Sequence, residues 1–235
     1  MRVEQTIVAL LVVVAGAWGQ QPQGGPLPTP KAGAPLDLTG YWVSIVPEDR
    51  FHMITPPKGD FPGIPLNGDG TKLANAWDQA KDEATGEQCK SYGAAAIMSV
   101  PGRFHITWDS DTTLKIEADA GTQTRLLHFN ATPPDTEAPS WQGYSVAAWE
   151  RRRSLKVTTT HLRPGYLRKN GVPYSEKTTV TEYYDLVHER GGNATLVINT
   201  IVDDPIYLTE PFRTSTNLRK QRDASGWHPS ACSAR

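Results

Sequence analysis

From Phe104 to Leu218 the chain repeats one device: a short run of alternating apolar and polar residues, a turn signal, then another such run. Alternate side chains of an extended strand point to opposite faces, so a period of two commits the chain to β-sheet with one buried face. Phe104, Ile106 and Trp108 alternate with His105, Thr107 and Asp109, and Ser110-Asp111 then turns the chain. Leu114 and Ile116 alternate with Lys115 and Glu117, and Ala120-Gly121 leads into Gln123 to Phe129. Beyond a proline-rich, acidic loop, Gly143 to Glu150 and Leu155 to Leu162 read as a hairpin, with Arg151-Arg152-Arg153 as its solvated turn. Thr178 to Val187 and Thr195 to Val202 form another around Gly191-Gly192, Asp203-Asp204-Pro205 interrupts, and the run Ile206 to Leu218 finishes the sheet.

Upstream, Tyr41 to Val46 reads as a first strand, while Pro56, Pro57, Pro62 and Pro65 make 55–67 a surface loop, because proline lacks the N–H a ladder needs. One helix is expected over Thr71 to about Ala84, where Leu73, Ala76, Trp77 and Ala80 recur at helical spacing. Asp69 or Thr71 would cap its start and Gly86 its end, with Trp77 as a packing anchor. Roughly nine or ten strands with one helix predict a mainly β, antiparallel up-and-down barrel, since closure removes unpaired edges and hairpins join near neighbours.

At 235 residues, one domain over 37–235 is the expected organisation. The start, MRVEQTIVALLVVVAGAWG, has a charged residue, an apolar run from Ile7 to Ala15 and small residues suited to cleavage, so 1–19 is read as a signal peptide. That run is far short of the ~20 residues of a spanning helix, so no stable membrane insertion is expected. The Pro/Gly-rich stretch 20–36 is read as a disordered or extended linker. A formal net charge of −1 argues against nucleic acid and against an anionic membrane surface.

Export would put Cys89 and Cys232, the only cysteines, in an oxidising compartment, periplasmic or secreted, where a pair is more often bonded than free. Such a bond would tie the C-terminal tail to the body and close a very long loop, with an ideal contribution of about 4 to 5 kcal/mol. A buried thiol and a catalytic nucleophile are the competing readings, but no histidine lies near Glu87-Gln88-Cys89-Lys90.

A barrel of this size can hold one small ligand, so polar residues with inward parity are the site candidates. His161 shares parity with Leu155 and Val157, His128 with Leu126, and either Glu182 (with Val180) or Tyr183 points inward from the next hairpin. His161, Arg163, Tyr166, Arg168 and Lys169 form the densest cluster, suited to an anionic group at a barrel mouth that Trp141, Tyr144 and Trp149 would line. The bland alternative, a satisfied core histidine beside a solvated loop, is the commoner outcome for such a cluster. His52, His105, His128, His161, His188 and His228 never occur at metal-ligand spacing, and no cofactor, phosphate-loop or nucleophile-elbow motif is present. Asn130-Ala131-Thr132 and Asn193-Ala194-Thr195 fit a glycosylation pattern, a short signal that matters only in a glycosylating host.

Gly63-Ile64-Pro65-Leu66-Asn67, Glu87-Gln88-Cys89, Trp141-Gln142-Gly143-Tyr144-Ser145, Arg168-Lys169-Asn170-Gly171-Val172-Pro173 and Asp204-Pro205-Ile206-Tyr207-Leu208-Thr209-Glu210-Pro211-Phe212 resemble a group of exported bacterial proteins of unknown function, over about Leu38 to Phe212. The resemblance implies an exported bacterial protein and carries over no catalytic residue. Gly40-Tyr41-Trp42 resembles the Gly-x-Trp start of lipocalins, which bears on architecture alone: a lipocalin/calycin-like barrel. Three functions follow as expectations. The first is an exported β-barrel that binds a small apolar molecule with an anionic or polar head group. The second is a cofactor-independent isomerase, cyclase or hydrolase with His161 as general base and Tyr183 or Glu182 as partner. The third is an envelope-interaction protein that pairs through an exposed strand edge.

Overall fold

A computed structural model of the chain describes residues 27–150 and 153–234, so the expected signal peptide and the first two arginines of the Arg151-Arg152-Arg153 turn lie outside the described residues. Nine strands close into a barrel. In chain order they are β1 (Gly40–Ser44), β2 (Arg103–Trp108), β3 (Thr113–Ala118), β4 (Gln123–Phe129), β5 (Tyr144–Glu150) and β6 (Ser154–Thr160). A short antiparallel ribbon, β7 (Gly165–Arg168) with β8 (Val172–Tyr174), stands apart, and β9 (Thr179–His188), β10 (Ala194–Asp203) and β11 (Phe212–Lys220) complete the wall. The order around the barrel is β1, β11, β10, β9, β6, β5, β4, β3, β2, with no free edge, so the nine-strand sheet lacks the open strand that the envelope-pairing expectation needs.

All neighbouring strands are antiparallel except β4 and β5, which pair in parallel with Leu127 opposite Ser145 and Phe129 opposite Ala147. The loop 130–143 therefore has to return the chain along the barrel before β5 can start, where a hairpin would have reversed it at once.

The remaining helices belong to a cap at one barrel end. Helix α1 (Val46–Met53) follows β1 directly, with a proline in its first turn, so the expected strand to Val46 ends early. The expected helix over 71–84 is two: α2 (Gly68–Ala76), capped by the Asn67 side chain, and α3 (Gln79–Ala84), capped by Asp78. Trp77 and Asp78 between them are extended, because the Asp78 carboxylate takes the amides of Ala80 and Lys81 and starts a new helix. The expected final run is shortened as well. Ile206 and Tyr207 sit in a turn whose amides donate to Asp204 Oδ1 at 2.8 and 3.3 Å, and the strand begins only at Phe212.

Of the expected linker, 20–26 lie outside the described residues, and the part from Pro30 on is docked rather than free. Pro30 O accepts from Trp149 Nε1 at 3.0 Å, Lys31 N donates to Asp111 O at 3.1 Å, and Leu36 packs on the core, so this segment covers the barrel end away from the cap. No helix among the described residues is long and apolar enough to cross a membrane.

The barrel interior is filled by side chains in three layers. Trp42, Phe104, Ile106, Leu127, Leu155 and Tyr184 anchor one contiguous apolar cluster. Val180, Val202, Phe212 and Leu162 belong to a second cluster shared with the cap. Between them lies a polar layer that the strand sequences dictate: Glu182 between Val180 and Tyr184 on β9, Thr200 between Val202 and Ile198 on β10, Thr214 and Thr216 between Phe212 and Leu218 on β11. Arg125, Ser145 and Thr159 supply the layer from the other side, and all but Thr214 of these polar residues are buried.

Candidate functional site

Arg125 and Glu182 form the centre of the polar layer. Arg125 donates from both terminal nitrogens to the carboxylate, at 3.1 and 2.6 Å, and to Thr159 Oγ1 at 3.3 Å, while Tyr184 OH donates to Glu182 Oε1 at 3.3 Å. Both charged side chains are essentially inaccessible, at 2 % and 0 % exposure. Burial works against the Arg125 charge, but Glu182 and Tyr184 outweigh it and hold the guanidinium above its ordinary range. Burial, reinforced by Glu182, likewise pushes the Tyr184 phenol up and keeps it a neutral donor. The ion pair is sealed between two apolar clusters and offers no approach to a ligand.

The expected catalytic group is not assembled. Strand β6 ends at Thr160, and His161 takes a left-handed backbone conformation (φ 57°), so the alternation that would have aimed it inward beside Leu155 and Val157 breaks at that residue. Thr159 holds the inward place, and His161 Nδ1 lies 2.9 Å from Thr160 Oγ1. Glu182 is spent on Arg125 and Tyr184, and Tyr183, on the opposite face of β9, lies beneath Lys156 at 6.0 Å.

The expected mouth is dispersed as well. On β4 it is Arg125, Leu127 and Phe129 that point inward; His128 and Leu126 face out, with His128 stacked on Tyr144 at 4.7 Å on the outer wall. Trp149 sits at the far end of β5 from Trp141, packed on Phe129 at 5.3 Å beneath the linker. Trp141 carries the Arg163 guanidinium over its ring at 4.1 Å, and Arg163 reaches Glu87 at 3.3 Å. Of the residues expected to bind, Tyr166 lines a cavity of ligand size.

That cavity is a cleft of about 310 Å³ in the cap, built where α2, α3, the 3₁₀ turn Lys90–Tyr92, the β7–β8 ribbon and the Asp204 turn meet. Its walls are Leu73, Ala76, Trp77, Pro164, Tyr166, Pro173, Tyr174 and Tyr207, and its charged groups are Asp78, Lys81, Asp82 and Lys90. The break between α2 and α3 places Trp77 here. Gly171 (φ 84°) lies so close beneath the indole that a Cβ would run into it. Asp204, itself buried, fixes the Tyr207 side by accepting from Ser175, Thr178, Ile206 and Tyr207.

Asp82 organises the floor. Its Oδ2 accepts from Trp77 Nε1 and from Tyr166 OH, each at 2.9 Å, and its Oδ1 pairs with Lys90 at 3.2 Å. Burial and the hydrogen bond to Asp82 push the Tyr166 phenol up, which keeps it a donor at neutral pH. Burial does the same to Tyr174, whose hydroxyl has no hydrogen-bond partner among the described residues. Lys81 is exposed at the wall and forms no ion pair among the described residues. The arrangement offers flat apolar faces plus one available cation. Among the described residues no cluster of three or more His, Cys, Asp or Glu side chains is placed to hold a metal.

Trp77 was legible in the sequence only as a helix-stripe residue and Tyr207 only as part of the stretch from Asp204 to Phe212, while Asp82 and Lys90 carried no motif. Comparison of the chain with protein-family models, curated proteins and solved structures finds no match.

Proposed function

We propose that the protein is an exported small-molecule-binding barrel whose ligand lies in the cap cleft rather than inside the strands, and that the ligand has a flat apolar body with an anionic or polar head. The observation that carries this reading is the 310 Å³ cleft, with Trp77, Tyr166 and Tyr207 as walls and the unpaired Lys81 at its side. Its size is that of a small-ligand site, and aromatic faces supply large apolar contact with little entropy to lose. Lys81 adds a charge-assisted partner for a head group. The Cys89–Cys232 disulfide, with Cα atoms 5.2 Å apart and a sequence separation of 143, fits an oxidising compartment and therefore export.

Calorimetric titration with naphthalene-2-sulfonate and with the neutral naphthalene-2-sulfonamide tests the reading. Both should bind, Trp77→Ala should weaken both by about tenfold or more, and Lys81→Gln should weaken the sulfonate alone by about two- to fivefold. Failure of both compounds to bind, or binding indifferent to Trp77→Ala, rules the cleft out as the site.

A further inference from the structure

After β11 the chain runs back along the outer wall as a strap. Trp227 lies edge-on to Tyr41 and His105 at 5.9 and 6.2 Å. Ser230 N donates to Asp119 O at 2.9 Å, and Thr122 Oγ1 donates to Ser230 O at 2.9 Å. The strap then meets the cap: Cys232 bonds to Cys89, Ser233 N donates to Tyr92 OH at 3.2 Å, and Ala234 is buried. Ala234 closes a tight space behind Trp77, Asp82, Lys90 and Tyr166, four residues that also line the cleft around the Asp82 floor. Cys89 immediately precedes Lys90 and starts the turn that carries it.

The barrel closes without the strap, because β11 ends at Lys220 and its partners are β10 and β1. Besides the disulfide and the buried Ala234, the contacts of the tail include hydrogen bonds of Ser230, His228 and Ser233, the half-buried Trp227 and Cys232 packed on the core, contacts that a segment outside the barrel ladder can open locally. The disulfide shortens the tether on which this docking depends, from the end of β11 to a bond at the floor itself, and so raises the effective concentration of the tail there.

We propose that the strap is a redox latch on the cleft: ligand binds when the Cys89–Cys232 bond holds Ala234 beneath the floor, and the site loosens when that bond is absent. The proposal rests on the cleft being the binding site. In the forming direction each thiol gives up its proton, and the S–S bond forms as two electrons pass, through a mixed disulfide, to an exchanging protein disulfide that leaves as a dithiol. A dithiol reductant runs the same steps backwards. The cleft would thereby be competent in the compartment to which the chain is sent and slack before it arrives.

The test is titration of the oxidised full chain, of C89S/C232S and of A234D with naphthalene-2-sulfonate, with denaturant unfolding of each as the control on the barrel. A234D keeps the disulfide and disturbs only the seat of the tail, so it decides the matter if C89S/C232S does not fold. The latch predicts that each variant binds about tenfold more weakly than the oxidised chain while unfolding cooperatively. Oxidised chain and variants binding within about twofold of one another would overturn the latch and leave the cleft standing. Absence of binding by the oxidised chain would overturn the cleft and the latch together.

Discussion

Two carboxylates in this molecule, Glu182 in the barrel and Asp82 in the cap, each collect three side-chain donors. Glu182 takes two from Arg125 and one from Tyr184; Asp82 takes one each from Trp77, Tyr166 and Lys90. The chemistry is alike and the consequence is opposite. The donors of Glu182 come from β9 itself and from β4 across the barrel, both part of one closed wall with apolar clusters above and below, so the whole ion pair is withdrawn from solvent. The donors of Asp82 come from three cap segments that share no ladder, and two of those donors are aromatic rings whose faces line an open cleft. A buried carboxylate thus fixes structure in one place and arranges a surface in the other, and what separates the two is the covering that surrounds each carboxylate.

Replacing one member of each pair should expose that difference, and the barrel should suffer more. Arg125→Met leaves the sealed Glu182 carboxyl without its partner, which should cost about 3–5 kcal/mol in denaturant unfolding. The double change R125M/E182L should recover most of that, because two apolar side chains suit the neighbouring clusters. A loss below about 1 kcal/mol for the single change would mean that solvent reaches the pair. In the cap, Asp82→Asn retains the shape but sets an amide donor among donors, with an expected cost of about 1–3 kcal/mol and a clear weakening of naphthalene-2-sulfonate binding. If Asp82→Asn leaves binding intact, Asp82 does not organise the cleft. Gly171→Ala asks for a left-handed alanine at about 1–2 kcal/mol and pushes on Trp77, so it should lower affinity while the barrel keeps its own unfolding behaviour.

How much of this could be read from sequence follows the same division. The barrel was legible because its rule is local: Leu155, Val157 and Thr159 alternate inward, as do Val180, Glu182 and Tyr184. Where the rule failed, a definite cause is visible. On β4 both Leu126 and Leu127 are apolar, so alternation alone does not choose a face, and a buried arginine, here Arg125, is uncommon enough that the wrong face looked natural. At His161 a single positive φ ended the strand one residue before the site reasoning needed it. The disulfide could be read from a count of two cysteines in a chain whose start reads as a signal peptide. The cleft could not, since Trp77, Tyr166 and Tyr207 lie far apart in sequence and meet only after the cap has folded, and no short motif encodes that meeting.

The smallest effect we expect belongs to the outer wall of the barrel and distinguishes it from the cap by pH. His128 is partly covered and stacked on Tyr144, and burial lowers its pKa from the ordinary 6.5 despite the opposing pull of Glu137 and Asp109. In the window between the depressed folded value and 6.5 the unfolded chain therefore binds more protons than the folded one. Stability rises with pH where the unfolded state holds the extra proton, so this histidine weakens the barrel as pH falls through 6.5 and adds no further loss below the folded value. His128→Phe keeps a ring against Tyr144 and removes the titration. Denaturant midpoints of the two proteins, compared across that range, should converge above neutral pH in their slope and diverge in acid, with the wild type falling faster. Binding at the cleft, whose walls contain no histidine, should show no such difference between them. Parallel midpoints in acid would mean that His128 titrates alike in both states and that the outer wall is more open to water than its stacking implies.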